Sequence, residues 1–120
     1  MHTRYLGKLY EANGDNGLKS REAKAYEMAE NADEVEHFLK QLANSNRLQV
    51  LCVLLAGELS VGEINAQVPL SQSALSQHLA KLRKAGFVST RRESQTIYYE
   101  LADERVRTVI EDLYTMFCAN

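Results

Sequence analysis

The sequence predicts a mainly α fold carrying one β-hairpin, in the order α-α-α-α-β-β-α. Three observations carry this prediction. Apolar residues recur at helical spacing in four stretches before Gly86. After Gly86 the period changes to two, over FVSTRR and TIYYEL, both rich in β-branched and aromatic residues. From Asp103 the helical period returns in Val106, Val109, Ile110, Leu113 and Phe117.

Each element has a local reason. Residues 1–18 hold two turn signals, Asn13-Gly14 and Asn16-Gly17, and read as a flexible arm before a domain over 19–120. Lys19 to Asn31 are good helix formers with a thin apolar pattern, which suggests a loosely attached helix. The first well-patterned helix starts at Asn31, with Glu34 three residues on in a capping arrangement. It carries Val35, Phe38, Leu39 and Leu42. Asn44 caps the next helix, in which Leu48, Leu51, Cys52 and Leu55 form one stripe. Val50 and Leu54 lie beside that stripe, so this helix is expected to be central, with Cys52 buried. Gly57 ends it.

Ser60 and Glu63 fit a capping box for a short helix holding Ile64 and Val68, which Pro69 stops. Ser71 caps the fourth helix, and Leu70 and Leu75 stand at staple positions around it. Leu75, Leu79 and Leu82 bury one side of this helix, and Gly86 ends it. Glu93, Ser94 and Gln95 join the two strands without a glycine, which leaves the turn type open.

A chain of 120 residues is one domain, with or without a short tail. Hydrophobic residues make up 45% and charged ones 25%, the balance of a soluble globular chain. No stretch approaches the roughly 18 apolar residues of a membrane helix, and the start lacks a secretory pattern. A cytoplasmic location with reduced thiols is therefore expected. The net charge of −2 is unevenly spread. Residues 71–92 contain Lys81, Arg83, Lys84, Arg91 and Arg92 and no acid, while both flanks are net negative. Such a basic segment is an electrostatic footprint for nucleic acid.

Two helices joined by a tight turn, then a two-stranded ribbon, make a winged helix-turn-helix. The fourth helix presents Gln72, Ser73, Ser76, Gln77, Ala80 and Lys81 away from its leucines. Small and amide side chains let a helix approach the major groove and bond base edges. Lys81, Arg83 and Lys84, with Arg91 and Arg92 near the hairpin tip, stand where phosphates of double-stranded operator DNA would be met. A polar helix face on its own is usually just solvated; the cap, the basic tail and the following wing together point to DNA. The first and last helices are surplus to this core and amphipathic, and a homodimer through them is the simplest way to cover both stripes.

The stretches LANSNRLQVL, GELSVGEI, LSQSALSQHLAKLRKAGFV and IYYELAD resemble the ArsR-type (ArsR/SmtB) bacterial repressors over residues 33–118. The resemblance implies a homodimeric winged helix that blocks transcription until an inducer binds. It also places Gln72, Ser73, Ser76 and Gln77 where that family reads bases.

Many members of that family sense metals, and the ligands of those sensors are missing here. The metalloid pattern E-L-C-V-C is replaced by Glu58-Leu59-Ser60-Val61-Gly62. The zinc pattern needs histidine on the last helix, yet the histidines are His2, His37 and His78. No metal and no cofactor are therefore expected, although a metal-responsive repressor stays as an alternative. No C-x-x-C pair, nucleophile elbow or glycine-rich phosphate loop points to an enzyme.

Cys52 and Cys118 are the only cysteines. As residues alone they read either as small buried hydrophobes or as a reactive pair. Their placement resembles the sulfide- and persulfide-responsive branch of the family, which includes the biofilm growth-associated repressor and the repressor of sulfide:quinone reductase. That branch implies a Cys52–Cys118 dithiol that a persulfide or polysulfide inducer closes into a bridge, releasing the operator. General thiol oxidation is the other alternative.

Overall fold

The computed structural model describes residues 15–119. The chain divides into two compact units, residues 1–39 and 40–120. Within the first, the described residues form most of helix α1 (Asp15–Leu42), whose last turn belongs to the second unit. α1 is continuous, so the helix start expected at Asn31 is corrected. Asn31 lies in mid-helix and its Nδ2 donates to the Glu27 carbonyl at 2.8 Å. No glycine or proline interrupts residues 18–42, and helix propagation through good formers outweighs one capping side chain. The turn expected at Asn16-Gly17 falls inside the first turn of α1, while Asn13-Gly14 and the rest of the arm lie outside the described residues.

The second unit holds the core. Helix α2 (Ser45–Val53) is capped by Asn44, whose Oδ1 accepts from the backbone N–H groups of Asn46 and Arg47, both at 3.0 Å. A 3₁₀ turn (Leu54–Ala56) continues it until Gly57, whose φ of 138° lies outside the range of ordinary L residues. Strand β1 (Leu59–Ser60) follows, then helix α3 (Val61–Gln67). The Ser60–Glu63 box forms as expected. Glu63 N–H donates to Ser60 Oγ at 3.1 Å, and Ser60 N–H donates to Glu63 Oε1 at 2.8 Å. Asn65 Nδ2 donates to the Leu70 carbonyl at 2.8 Å and closes the turn into helix α4 (Gln72–Lys84). Ser71 caps α4 through the Ala74 N–H at 3.1 Å, and Gly86, at φ 80°, follows its end.

Strands β2 (Val88–Glu93) and β3 (Thr96–Leu101) make the expected hairpin, and helix α5 (Glu104–Phe117) starts on an Asp103 cap. Two details differ from expectation. The loop is two residues, Ser94-Gln95, because Glu93 pairs with Thr96. Ser94 takes φ 58° and Gln95 does not, the sign pattern of a type II′ turn. The sheet also has a third strand, in the order β1-β3-β2, with Leu59 opposite Tyr99. Two residues of strand carry too little periodicity to be read from sequence.

Val50 and Leu51 of α2, Leu54, Ile64 of α3, and Leu75, Leu79 and Leu82 of α4 are fully buried. Phe87 and Val88 close the core beneath the hairpin, and Val106 and Ile110 bring α5 onto it. Arg107 adds a polar tie, its Nη1 donating to the Leu55 carbonyl at 3.2 Å. Among the described residues no helix is long and apolar enough to cross a membrane.

Candidate functional site

The leucine side of α4 locks its opposite side outward. Gln72, Ser73, Ser76, Gln77, Lys81, Arg83 and Lys84 are all exposed. At 3.6 residues per turn these seven fall on one half of the helix circumference. The exposed face thus joins short hydrogen-bonding groups near the N-terminus of α4 to three cations in its last turn. Nothing along this strip is acidic.

His78 stands beside that strip and is half-buried. Burial, then the charges of Arg47 and Lys81, hold its pKa below the usual histidine value. Its Nδ1 and the Nε of Arg47 are both buried without a hydrogen-bond partner. The neutral imidazole suits that setting, since a second buried donor would go unmet.

The hairpin separates the two arginines that sequence reasoning grouped together. Arg92 is exposed, and no hydrogen bond or ion pair holds its guanidinium among the described residues. Arg91 is engaged. Its Nε and Nη2 donate to the two carboxylate oxygens of Glu58 at 2.9 and 2.8 Å, and its Nη1 donates to Glu93 at 2.8 Å. The guanidinium also lies 4.5 Å from the centre of the Tyr98 ring. The hydrogen bond from Arg91 lowers the pKa of Glu58. The phosphate contact expected of Arg91 therefore meets a competitor in Glu58, 33 residues away, which no local pattern announces.

The second feature is a groove between α2 and α5. Its volume is about 360 Å³, and no polar atom faces into it. Leu48, Gln49, Ile110, Leu113, Tyr114 and Phe117 line it together with Cys52 and Cys118. Both cysteines are free thiols. Cys52 is half-buried rather than buried, which corrects the expectation from its apolar stripe. Its neighbour Leu51 faces the core, whereas Cys52 turns toward α5, where the two helices leave the groove open. Cys118 is exposed and ends α5, its N–H donating to the Tyr114 carbonyl at 2.8 Å. Among the described residues no group of three or more His, Cys, Asp or Glu is placed to hold a metal ion.

A buried three-helix core, an outward polar recognition helix with a basic end, and a β-wing define a winged-helix DNA-binding regulator. Comparison with known proteins narrows this class. The profile of bacterial regulatory proteins of the arsR family matches residues 44–90. The transcriptional activator HlyU of Vibrio cholerae is 48% identical over 101 residues, covering 84% of this chain and 94% of that protein. The biofilm growth-associated repressor of Agrobacterium fabrum is 48% identical over 92 residues, covering 77% and 79%. The crystal structure of the repressor BigR from Xylella fastidiosa superposes with a TM-score of 0.75 at 41% identity, over 80% of this chain and 98% of that one. The chain belongs to the arsR family of bacterial transcription regulators and is not an enzyme.

Proposed function

We propose that this regulator is a homodimeric repressor that senses persulfides through a Cys52–Cys118 dithiol. The observation that carries the reading is that both free thiols line one open apolar groove. The likeness to biofilm growth-associated repressors supports the repressing sense, and the V. cholerae relative, named an activator, has a structure of its reduced form.

The chemistry balances without a further oxidant. A thiolate of one cysteine attacks the sulfane sulfur of a persulfide RSSH, forming a protein persulfide and releasing the thiol RSH. The second cysteine's thiolate then attacks the first cysteine's own Sγ, closing the disulfide and expelling the transferred sulfur as hydrogen sulfide. The sulfane sulfur is reduced and the two cysteines are oxidised. An additional persulfide beforehand lengthens the bridge by one sulfur. A disulfide needs Cα atoms roughly 4.4 to 6.8 Å apart, and a longer sulfur chain spans a wider gap. An apolar groove favours weakly hydrated sulfur species over peroxide, which loses its hydrogen bonds to water on entry.

The bridge acts on DNA binding through α5. Arg107 already ties the start of that helix to Leu55, and a bridge ties its far end to α2. Tyr114, Met116 and Phe117 near that end are exposed and apolar, the surface a two-fold partner would cover. Locking α5 against α2 changes the angle between protomers, and half-sites about one DNA turn apart tolerate little mismatch. Operator affinity and bridging then share one coupling free energy.

Cys52→Ser and Cys118→Ser are expected to bind operator as the reduced protein does and to keep binding after persulfide treatment. Normal release by either variant refutes the dithiol. Equal bridging of the native protein by peroxide and persulfide favours the general thiol-oxidation reading instead.

A further inference from the structure

The wing carries two adjacent arginines whose surroundings differ completely. Arg91 uses three of its nitrogens on two carboxylates, with Glu58 bound bidentately. The set Glu58–Arg91–Glu93 sums to one negative charge. Its geometry crosses the whole sheet. Arg91 lies on edge strand β2, Tyr98 on central strand β3 passes under the guanidinium, and Glu58 lies at the opposite edge, next to β1. Gly57, at φ 138°, turns the chain just before Glu58.

We infer that Arg91 is a positioning residue that staples the wing through Glu58 to the chain entering β1, and that Arg92 makes the wing's contact to DNA phosphate. A bidentate fork fixes direction as well as distance, and stacking on Tyr98 fixes the plane. Arg92 is the next residue on the strand, so its side chain leaves the opposite face of the sheet. Its charge is uncancelled by any ion pair among the described residues. Glu58 thereby becomes part of the DNA-binding apparatus without touching DNA. This inference rests on the DNA-binding class of the protein and is independent of the thiol chemistry.

The test uses reduced full-length protein and the duplex it enriches from a random-sequence pool, with affinity measured against salt. Each phosphate neutralised contributes about 0.9 to the slope of log affinity against log salt. Arg92→Ala is expected to reduce the slope by about 0.9 for each phosphate that is no longer neutralised. Arg91→Ala is expected to weaken binding at every salt concentration and, by loosening the wing that carries Arg92, to lower the slope by no more than Arg92→Ala does. Arg91→Lys keeps the charge but lacks the fork, so it is expected to bind as weakly as the alanine variant. The inference is overturned if Arg91→Ala lowers the slope and lysine restores it, or if Arg92→Ala leaves the slope intact. Should Arg91→Ala fail to fold, Arg91→Lys and Arg92→Ala still decide, because a phosphate contact at position 91 would survive the lysine.

Discussion

Closing a Cys52–Cys118 bridge should stabilise the protein strongly while releasing it from DNA. The two residues are 118 − 52 = 66 positions apart. In the chain-entropy description, a cross-link closing a loop of that length stabilises by about 4 kcal/mol at 25 °C, through the unfolded state. Sulfur atoms added to the bridge change this little, because loop length enters as a logarithm. Strain in the folded state subtracts from the gain. Both cysteines already line one groove, so the subtraction should be partial. For a chain of 120 residues each kcal/mol moves the melting temperature by roughly 4 °C. A shift of about 15 °C is therefore the upper expectation. Thermal melts of reduced and persulfide-treated protein, followed by circular dichroism, measure it. Mass spectrometry confirms the bridge, and Cys118→Ser provides the baseline. A bridge within one chain that leaves the melting temperature unchanged or lowered would refute the claim that the folded groove poises the two thiols.

Three further outcomes follow from the same structure. Asn44→Ala removes the acceptor for two backbone N–H groups at the start of α2 and should cost about 1 kcal/mol, read as a lower denaturation midpoint, with Asn44→Asp close to native. His78 has a folded pKa below its unfolded one, so the unfolded chain binds more protons between those two values. The stability this contributes is complete above the unfolded value, near pH 6.5, and is lost as pH falls through the folded one; His78→Gln should flatten the pH dependence of the melting temperature in that acidic window. Gln77→Ala should relax base preference at one position of the bound sequence, costing about 1 to 3 kcal/mol of discrimination with no change in salt slope. A uniform loss across all sequences would instead make Gln77 a backbone contact.

What was legible in the sequence was what local rules determine. Asn44, Ser60 with Glu63, and Ser71 stand at helix starts because a short side chain there meets backbone donors within three residues, and the structure forms each bond. Leu75, Leu79 and Leu82 fixed which side of α4 faces outward. Asn31 shows the limit of the same rule. Its side chain offers a cap, but the helix around it is long enough to run through, and the side chain bonds Glu27 instead. The staple from Glu58 to Arg91 was invisible because it joins residues far apart in sequence through a sheet whose third strand is two residues long. Cys52 is less buried than its apolar stripe implies for a related reason. Periodicity tells which residues share a stripe, and only packing tells that the α5 side of the stripe stays open.

The Cys52–Cys118 switch is measured on the preformed protein–operator complex, by adding a persulfide donor and following bound DNA and the mass of the protein in the same samples. DNA is expected to be released in step with formation of an intramolecular Cys52–Cys118 di- or polysulfide, and a reductant to restore binding. Release without that bridge, or a complete bridge with DNA still bound, contradicts the switch.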